Sequence, residues 1–569
     1  MVVVAVTLSE AESKRLLAAH GIPVLDERTA SGAEEAGDAA DAIGYPVVVK
    51  LCGPAIAHKT ERGLVRLGVS DRDGVESAAK ELLSAATPGD GYVELLVAPM
   101  VRAGRELIAG VATDPQFGAC VMVGIGGVLA EALGDVAFGL VPLAESDADD
   151  LIDALRTQAL LGPFRGEPPV DREAVRSVLI GLSRLAESDP SIVSVDVNPL
   201  MIVDGRPVAV DALVERSAAE MPGESEGRRS PLPAQAATPP DLTPLFDPRG
   251  VIVAGASTHP GKFGFVALHN IIANGYSGRV GATNLDATRV LGIEASRSID
   301  DLPDGPWDLV FVCTPASANA DLLRACARRN VRAAFLTSAG YGEAGPEGRR
   351  AQDEIVSLAR DLGIVLAGPN GQGVVSTPSS LCAQIVAPYP PRGRIAVASQ
   401  SGNFVSSFLN WSCQTGVGIS RAVSAGNAAA ISVADFVDWY SVDPESAVSL
   451  VYVEGVDDGR ALFERLRAVA LRQPVVLVKG GTTRGGERAA ASHTGSLASD
   501  DRIFDGMCRQ AGITRVATIE EAFEAAATFA TQPLPSGPRV AVITTAGGWG
   551  VVTADAITRS QLEIGRAHV

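Results

Sequence analysis

The chain reads as an α/β protein of several domains, with doubly wound parallel sheets in its second half. Three observations lead there. The length, 569 residues, exceeds one ordinary domain and allows roughly three to five. Apolar residues make up 46 % and aromatics only 5 %, with 60 glycines, a mix suited to α/β layers joined by tight strand–helix turns. Short apolar strands ending in Gly, Ser, Thr or Pro recur through residues 249–481, with helical stretches between them.

Taken in order, "SEAESKRLLAAH" (9–20) predicts a helix with Ser9 as cap and Glu12 three residues inside. Helices then alternate with strands such as "YPVVVKL" (45–51), "YVELLVAPMV" (92–101) and "RELIAGVAT" (105–113). "SVDVNPLMI" (194–202) and "VAVDALV" (208–214) read as two antiparallel strands. Residues 216–241 are rich in Pro, Ser, Ala and charge without an apolar period, and read as a linker. Regular βα units follow: "RGVIVAGAS" (249–257), "DLVFVCTPA" (308–316), "RAAFLTSAG" (332–340) and "GIVLAGPNG" (363–371). A second set comprises "RIAVASQSGN" (394–403), "VSLVYVEGV" (448–456) and "PVVLVKGG" (474–481). A third begins at "PRVAVITTAGGWGVVTADA" (538–556); a domain starting there is expected to be truncated, because 32 residues do not close a core.

Composition excludes several function classes. A net charge of −19 argues against nucleic acid and anionic membranes as partners. No run of eighteen apolar residues appears, and "MVVVAVTLSE" lacks the basic start of a signal peptide, so a cytoplasmic protein is expected. Seven cysteines without C-x-x-C spacing indicate neither a disulfide framework nor a zinc knot. Only six of 48 basic residues are lysine: Lys14, Lys50, Lys59, Lys80, Lys262 and Lys479. A lysine kept in so arginine-rich a chain points to a need for a compact ammonium, for instance on a phosphate.

The loop "VAGASTHPGKFG" (253–264) joins a strand to a helix, where backbone N–H groups and the helix dipole favour anions; Gly255, Ser257, Gly261 and Lys262 are its candidates for phosphate. "TPA" (314–316) and "GPN" (368–370) end further strands on the same edge. His493 stands in the small-residue loop "TTRGGERAAASHTGSLA" after "VVLVKGG", where a surface histidine is the ordinary alternative. Glu454 ends a strand of the same sheet; a carboxylate there can hold one imidazole nitrogen protonated and leave the other nucleophilic. "SQSGN" (399–403) and "TAGGWG" (545–550) head helices whose N-termini suit a phosphorylated histidine. In the first half, Lys50 ends a strand, and Asn198 and Asp211 are hard oxygen ligands suited to Mg²⁺.

"VKGGTTRGGERAAASHTGSLA" resembles the phosphohistidine loop of the NDP-forming acyl-CoA synthetases, the family of ADP-forming acetate–CoA ligase, related to succinyl-CoA synthetase. "GAS…PGKFG", "TPA", "SAGYGE", "GPNGQG", "SQSGN", "VSAGNAAAISVADF" and "VYVEG" match that family in order. In the first half "LSEAESKRLLAAHGIPV", "GYPVVVKL", "AHKTERGLVRLGV", "ELIAGVATDPQFGACVMVGIGGVLAEAL", "DVNPL" and "AVDALV" resemble the family's ATP-grasp domains. The resemblance implies an ATP-grasp nucleotide-binding module (1–215), a linker (216–241), a CoA-binding Rossmann-like domain (242–385), a flavodoxin-like ligase domain with the phosphohistidine loop (386–534) and the start of a further flavodoxin-like domain (535–569).

By that resemblance His493 carries the phosphoryl group and Glu454 orients it, with Ser401–Gly402 and Gly547–Gly548 heading the two helices that face it. CoA is expected at Gly255, Ser257, Lys262, Asn284, Thr314 and Asn370; the nucleotide at Lys50 and Glu106, with Gly126 and Gly127 of "GIGG" over phosphate; magnesium at Asn198 and Asp211. His58 of "AHKT" matches a second phospho-accepting histidine, with a structural loop residue as its alternative. The sequence departs from the pattern at "ATNL" (282–285) for "PVNP", at "GPNGQG" for "GPNCxG" and at Ser194, where an acidic residue usually opens the metal motif. The implied partners are a small carboxylic acid, CoA and ATP with its product ADP, and the resemblance is compatible with a homo-oligomer. Two rivals remain at this level: a CoA- or nucleotide-binding regulator or protein acyltransferase relative, and an NAD(P) dehydrogenase, which the missing G-x-G-x-x-G disfavours.

Overall fold

The computed structural model describes residues 5–56, 59, 62–101, 104–127, 134–217, 240–386, 388–456, 458–483, 500–560 and 562–564. The first helix, Glu10–Ala19, starts where its cap residues put it. The Ser9 hydroxyl accepts the Glu12 N–H, and Glu12 Oε2 accepts the Ser9 N–H at 2.9 Å. This reciprocal pair satisfies donors that the first turn leaves open.

Among the described residues the first module holds two antiparallel sheets. The smaller runs Arg28–Ala30, Glu94–Pro99, Val47–Cys52, Val65–Val69. The larger runs Ala5–Thr7, Ala212–Ser217, Ile192–Val203, Glu106–Asp114, Gly118–Ile125, Val136–Leu140, with Arg206–Ala209 also on Ile192–Val203. Helix Arg172–Ser188 covers the larger sheet with Val175, Val178, Leu179, Leu182 and Leu185, an apolar face of helical period. Ala212–Ser217 carries Arg216 and Ser217 into the stretch read as linker, because they pair with Ile192 and Ala5.

Two parallel sheets follow. The first runs Ala295–Ser296, Arg279–Thr283, Gly250–Ala254, Leu309–Val312, Ala333–Leu336, Val365–Ala367, all neighbours parallel. Strand order therefore reverses between Gly250–Ala254 and Leu309–Val312, and the loops beyond these two strands diverge to leave a crevice. The second sheet places Ile419–Ser424, Arg392–Ser399, Val448–Val453, Val475–Lys479 and Thr514–Val516 side by side, reversing between Arg392–Ser399 and Val448–Val453. A hairpin of Gly373–Ser376 and Leu381–Gln384 adds to it antiparallel, so residues assigned to the CoA-binding stretch complete the next domain's sheet.

The modules share packed surfaces. Phe117, at the turn between two strands of the first module's larger sheet, is fully buried and meets the Phe504 ring edge-on at 6.1 Å. Gly459 admits it: a Cβ there would lie 2.6 Å from Phe117. Gln510 pairs with Leu140 as a strand would, accepting its N–H at 2.8 Å and donating to its carbonyl at 3.0 Å. Between the two parallel-sheet domains, Arg421 is buried against Asp247 (2.6 Å) and Asp443 (3.0 Å), its guanidinium over the Trp439 ring.

Residues 539–564 form a short parallel pair, Arg539–Val540 with Glu563–Ile564, and the helix Gly547–Arg559. Trp549, Val551 and Val552 stand exposed on that helix. All seven cysteines are free, and no described helix is long and apolar enough to cross a membrane.

Candidate active site

The carboxyl edges of the two parallel sheets face one another. Between them lies a cleft of about 900 Å³, lined from one side by Thr314, Thr337, Ser338 and Asn370 and from the other by Ser401, Gly402, Asn427 and Glu454. Thr314 follows the strand Leu309–Val312, and Asn370, with φ 59°, follows Val365–Ala367. Buried Asn319 bonds Thr314 Oγ1 (2.9 Å) and Ser338 Oγ (3.1 Å), so the strand-end hydroxyls are held in place. Asn427 reaches across the cleft to Glu343 Oε2 at 2.5 Å and accepts from Asn370 at 3.3 Å. Burial would raise the Glu343 carboxyl, but Asn427 and the N–H groups of Gly340 and Tyr341 hold it below the ordinary range.

Glu454 follows the last residue of Val448–Val453 and sits on the cleft wall. Gln400 fixes that corner: its Oε1 accepts from Glu454 N at 2.5 Å and Gly455 N at 3.2 Å, and its Nε2 donates to the Gly455 carbonyl at 3.0 Å. Burial, then the neighbouring Glu454 carboxylate, pushes the Tyr452 phenol up. Ser401 is the N-cap of helix Gly402–Thr415. Among the described residues no side chain caps that end, so its N–H groups and positive dipole suit an anion. A Cβ on Gly402 would lie 2.2 Å from the Gln372 side chain. Gln400 and Gln372 escaped the sequence reading, although both lie inside quoted motifs; nothing in a linear string marks a glutamine that clamps a distant turn.

The structure brings Thr314, Asn370, Ser401, Gly402 and Glu454 to one cleft. Gly255, Ser257, Lys262 and Asn284 do not line it, although their loops follow neighbouring strands of the same sheet. Gly255 takes φ +84°, and Gly264 packs so tightly on its carbonyl that a Cβ would come within 2.1 Å. His259 Nδ1 accepts the Gly261 N–H, shaping this loop from inside. Asn284 spends both ends of its amide on Thr288, at 2.8 Å each. Gly547 heads its helix, but neither it nor Gly548 is among the cleft residues.

In the first module, Glu106, Gly126 and Gly127 line a second cavity of about 170 Å³, with the Gly126 N–H donating to the Glu106 carbonyl. Lys50 is elsewhere. Its Nζ lies 2.6 Å from Glu10 Oε1, 3.2 Å from the Val210 carbonyl and 3.9 Å from Asp211. Lys59 lies 2.6 Å from Glu10 and 3.2 Å from Asp211, and Lys14 lies 2.8 Å from Glu10 and 2.6 Å from Glu27. Burial would raise the Glu10 carboxyl, but Lys50, Lys14 and Lys59 together hold it far below the ordinary range. Lys50 lies inside the strand Val47–Cys52 rather than at its end, and is only 6 % exposed within this ion-pair network.

The pairing of Ala212 with Val197 sets Asp211 opposite Asn198, and Asp196 shares the Asn198 face of the strand. Burial, then Asp211, pushes the Asp196 carboxyl up. Two crowded carboxylates beside an amide oxygen fit Mg²⁺, which takes one or two carboxylates and completes its shell with water and phosphate. Ser194 donates to Glu215 at 2.7 Å, a cross-strand bond in place of a charge. No cluster of three His, Cys, Asp or Glu in metal-holding geometry occurs among the described residues. His493 and His58 lie outside the described residues.

Three family models match the chain in order. Residues 5–215 match the ATP-grasp domain, 249–377 the CoA binding domain and 392–529 the succinyl-CoA ligase like flavodoxin domain. The ADP-forming acetate–CoA ligase II of Archaeoglobus fulgidus is 34 % identical over 552 residues, covering 96 % of this chain and 79 % of its own. The ADP-forming 4-hydroxybutyrate–CoA ligase of Nitrosopumilus maritimus is 29 % identical over 57 % of this chain and 46 % of its own. Among solved structures, the dinucleotide-forming acetyl-coenzyme A synthetase 1 of Ca. Korarchaeum cryptofilum, in complex with phosphate and ADP, superimposes with TM-score 0.55 at 31 % identity, over 58 % of this chain and 70 % of its own. With a third of its residues shared along nearly its whole length, and the three domains in order, the chain belongs to the family of ADP-forming acetate–CoA ligases.

Proposed function

We propose that the protein is an ADP-forming acyl-CoA synthetase, making acyl-CoA from a carboxylic acid, CoA and ATP through phosphohistidine and acyl phosphate. The observation that carries this is the cleft between the carboxyl edges of the two parallel sheets, with Glu454, the helix end at Ser401 and the strand-end groups Thr314 and Asn370 on its walls. Nucleotide, metal and CoA are assigned to the residues named above: Lys50, Glu106, Gly126 and Gly127; Asn198 and Asp211; Gly255, Ser257, Lys262, Asn284, Thr314 and Asn370.

The chemistry explains the separation of sites. A carboxylate lacks a leaving group for attack by a thiol, and phosphorylation supplies one. In the proposed sequence an imidazole nitrogen attacks the γ-phosphorus of ATP and ADP departs; in one version that nitrogen belongs to His493, in the other to His58, whose phosphoryl group is then attacked by His493 with release of the His58 imidazole. A carboxylate oxygen of the acid then attacks the phosphorus on His493 and frees the imidazole. The CoA thiolate attacks the acyl carbon and phosphate leaves. Magnesium neutralises phosphate charge. Gln400 holds Glu454 at the cleft, and the helix end at Ser401 stabilises the phosphoryl charge.

The experiment is a screen of carboxylic acids for ADP release that requires CoA, Mg²⁺ and ATP together, with protein-bound phosphate trapped from labelled ATP. An acid-labile, base-stable label is expected, absent from the double variant His58→Ala with His493→Ala. Failure of every acid to elicit CoA-dependent ADP release, or full labelling of that double variant, removes the reading.

A further inference from the structure

Of the six lysines in the chain, three converge on one carboxylate. Glu10 has no exposed side-chain surface, and each of its oxygens has an ammonium at 2.6 Å. The cluster draws on four elements: Glu10 and Lys14 on helix Glu10–Ala19, Lys50 on the small sheet, Lys59 on the loop beyond it and Asp211 on the edge of the large sheet's strand pair. It is also polarised. Lys14 turns towards Glu27, whereas Lys50 and Lys59 turn towards Asp211.

Stability alone does not account for this arrangement. Buried ion pairs add little over apolar packing of the same volume. A guanidinium would satisfy a carboxylate bidentately, and this chain otherwise prefers arginine. An ammonium is a compact point charge that can turn from one oxygen partner to another. Two of them side by side and largely buried need a fixed counter-charge.

We propose that Glu10 is a positioning residue of the nucleotide site: it holds the Lys50 and Lys59 ammonium groups together beside Asp211, where both are available to the phosphate oxygens of a magnesium–nucleotide. The inference rests on the nucleotide-site reading of the first module. It goes further by naming a buried acid on the first helix that has no contact with the ligand itself.

The test separates positioning from charge balance. Glu10→Gln leaves three ammonium groups facing two carboxylates; the double variant Glu10→Gln with Lys14→Gln restores equal numbers without restoring the acid between Lys50 and Lys59. Mg-ATP binding is measured by calorimetry and thermal unfolding in parallel. Glu10→Gln should bind Mg-ATP at least about tenfold more weakly, the scale of a lost charge-assisted contact. The double variant should regain its melting temperature but not the affinity. Affinity that returns with the melting temperature overturns the positioning role while leaving the nucleotide site intact. A wild-type chain that binds no Mg-ATP overturns both. Should neither Glu10 variant fold, Lys59→Met decides, and unchanged affinity there overturns the proposal.

Discussion

The side-chain carbonyl of Gln400 accepts the backbone N–H of Glu454 at 2.5 Å, across the point where strand order reverses in the second parallel sheet. One amide thereby ties the loop leaving Arg392–Ser399 to the loop leaving Val448–Val453, and both loops line the cleft. Gln400→Leu keeps the bulk and removes the three bonds. Glu454 then loses its fixed bearing, and turnover should fall about a hundredfold, the scale of a misplaced catalytic group, with KM for ATP unchanged. Steady-state kinetics with saturating CoA checks this; unchanged turnover would show that Glu454 is oriented by other contacts.

The helix end at Ser401 depends on a missing Cβ. Gly402→Ala would place a methyl 2.2 Å from Gln372, whose side chain must then move. Activity should drop in Gly402→Ala and recover substantially when Gln372→Ala is added, a coupling expected only between residues in contact. Independent, additive losses would mean that Gly402 matters for another reason.

Phe117 joins the nucleotide module to the ligase domain. Phe117→Ala leaves a cavity against Phe504 and Gly459, and such truncations cost about 3–5 kcal/mol. Because the lost contact lies between modules, calorimetry should split one unfolding transition into two. A single transition shifted down as a whole would place the effect inside one module.

Much of this was legible from residue patterns. Strand ends in Gly, Ser or Thr marked the carboxyl edge of both parallel sheets, and the cap at Ser9 with Glu12 marked the first helix. Thr314, Asn370, Ser401, Gly402 and Glu454 line the cleft because each stands at or shortly after the end of a strand, so chain position places it on the edge. Gln400, Asn319 and Asn427 were not found, because their partners lie up to 84 residues away and a neutral amide has no signature. The rarity of lysine flagged Lys50 and Lys59, but only the fold shows that Glu10 is their common partner. The hairpin at Gly373–Gln384 was missed because its strands are four residues long and pair with a later part of the chain.

Glu10 also sets a pH dependence. Its folded carboxyl lies far below the ordinary 4.5 because the three lysines outweigh burial. A depressed carboxyl stabilises the fold above its unfolded value, and that stabilisation disappears as pH falls through the folded value. The melting temperature should therefore decline as pH drops below about 4.5, and decline less steeply in Glu10→Gln. Parallel slopes in the two chains would show that other carboxylates govern acid unfolding.

Asp211 stands opposite Asn198 and touches Lys59, so it links the expected metal to the ammonium cluster. Asp211→Asn keeps an oxygen donor but removes one of two crowded carboxylates. The neighbouring Asp196 loses a like charge, and its carboxyl should titrate lower than in the wild type. Losing a charged ligand should raise the Mg²⁺ concentration needed for half-maximal ADP release by about tenfold or more, while activity at saturating Mg²⁺ recovers in part. A metal titration at fixed ATP measures it. If the Mg²⁺ requirement stays put while affinity for ATP falls, Asp211 acts through Lys50 and Lys59 rather than through the metal.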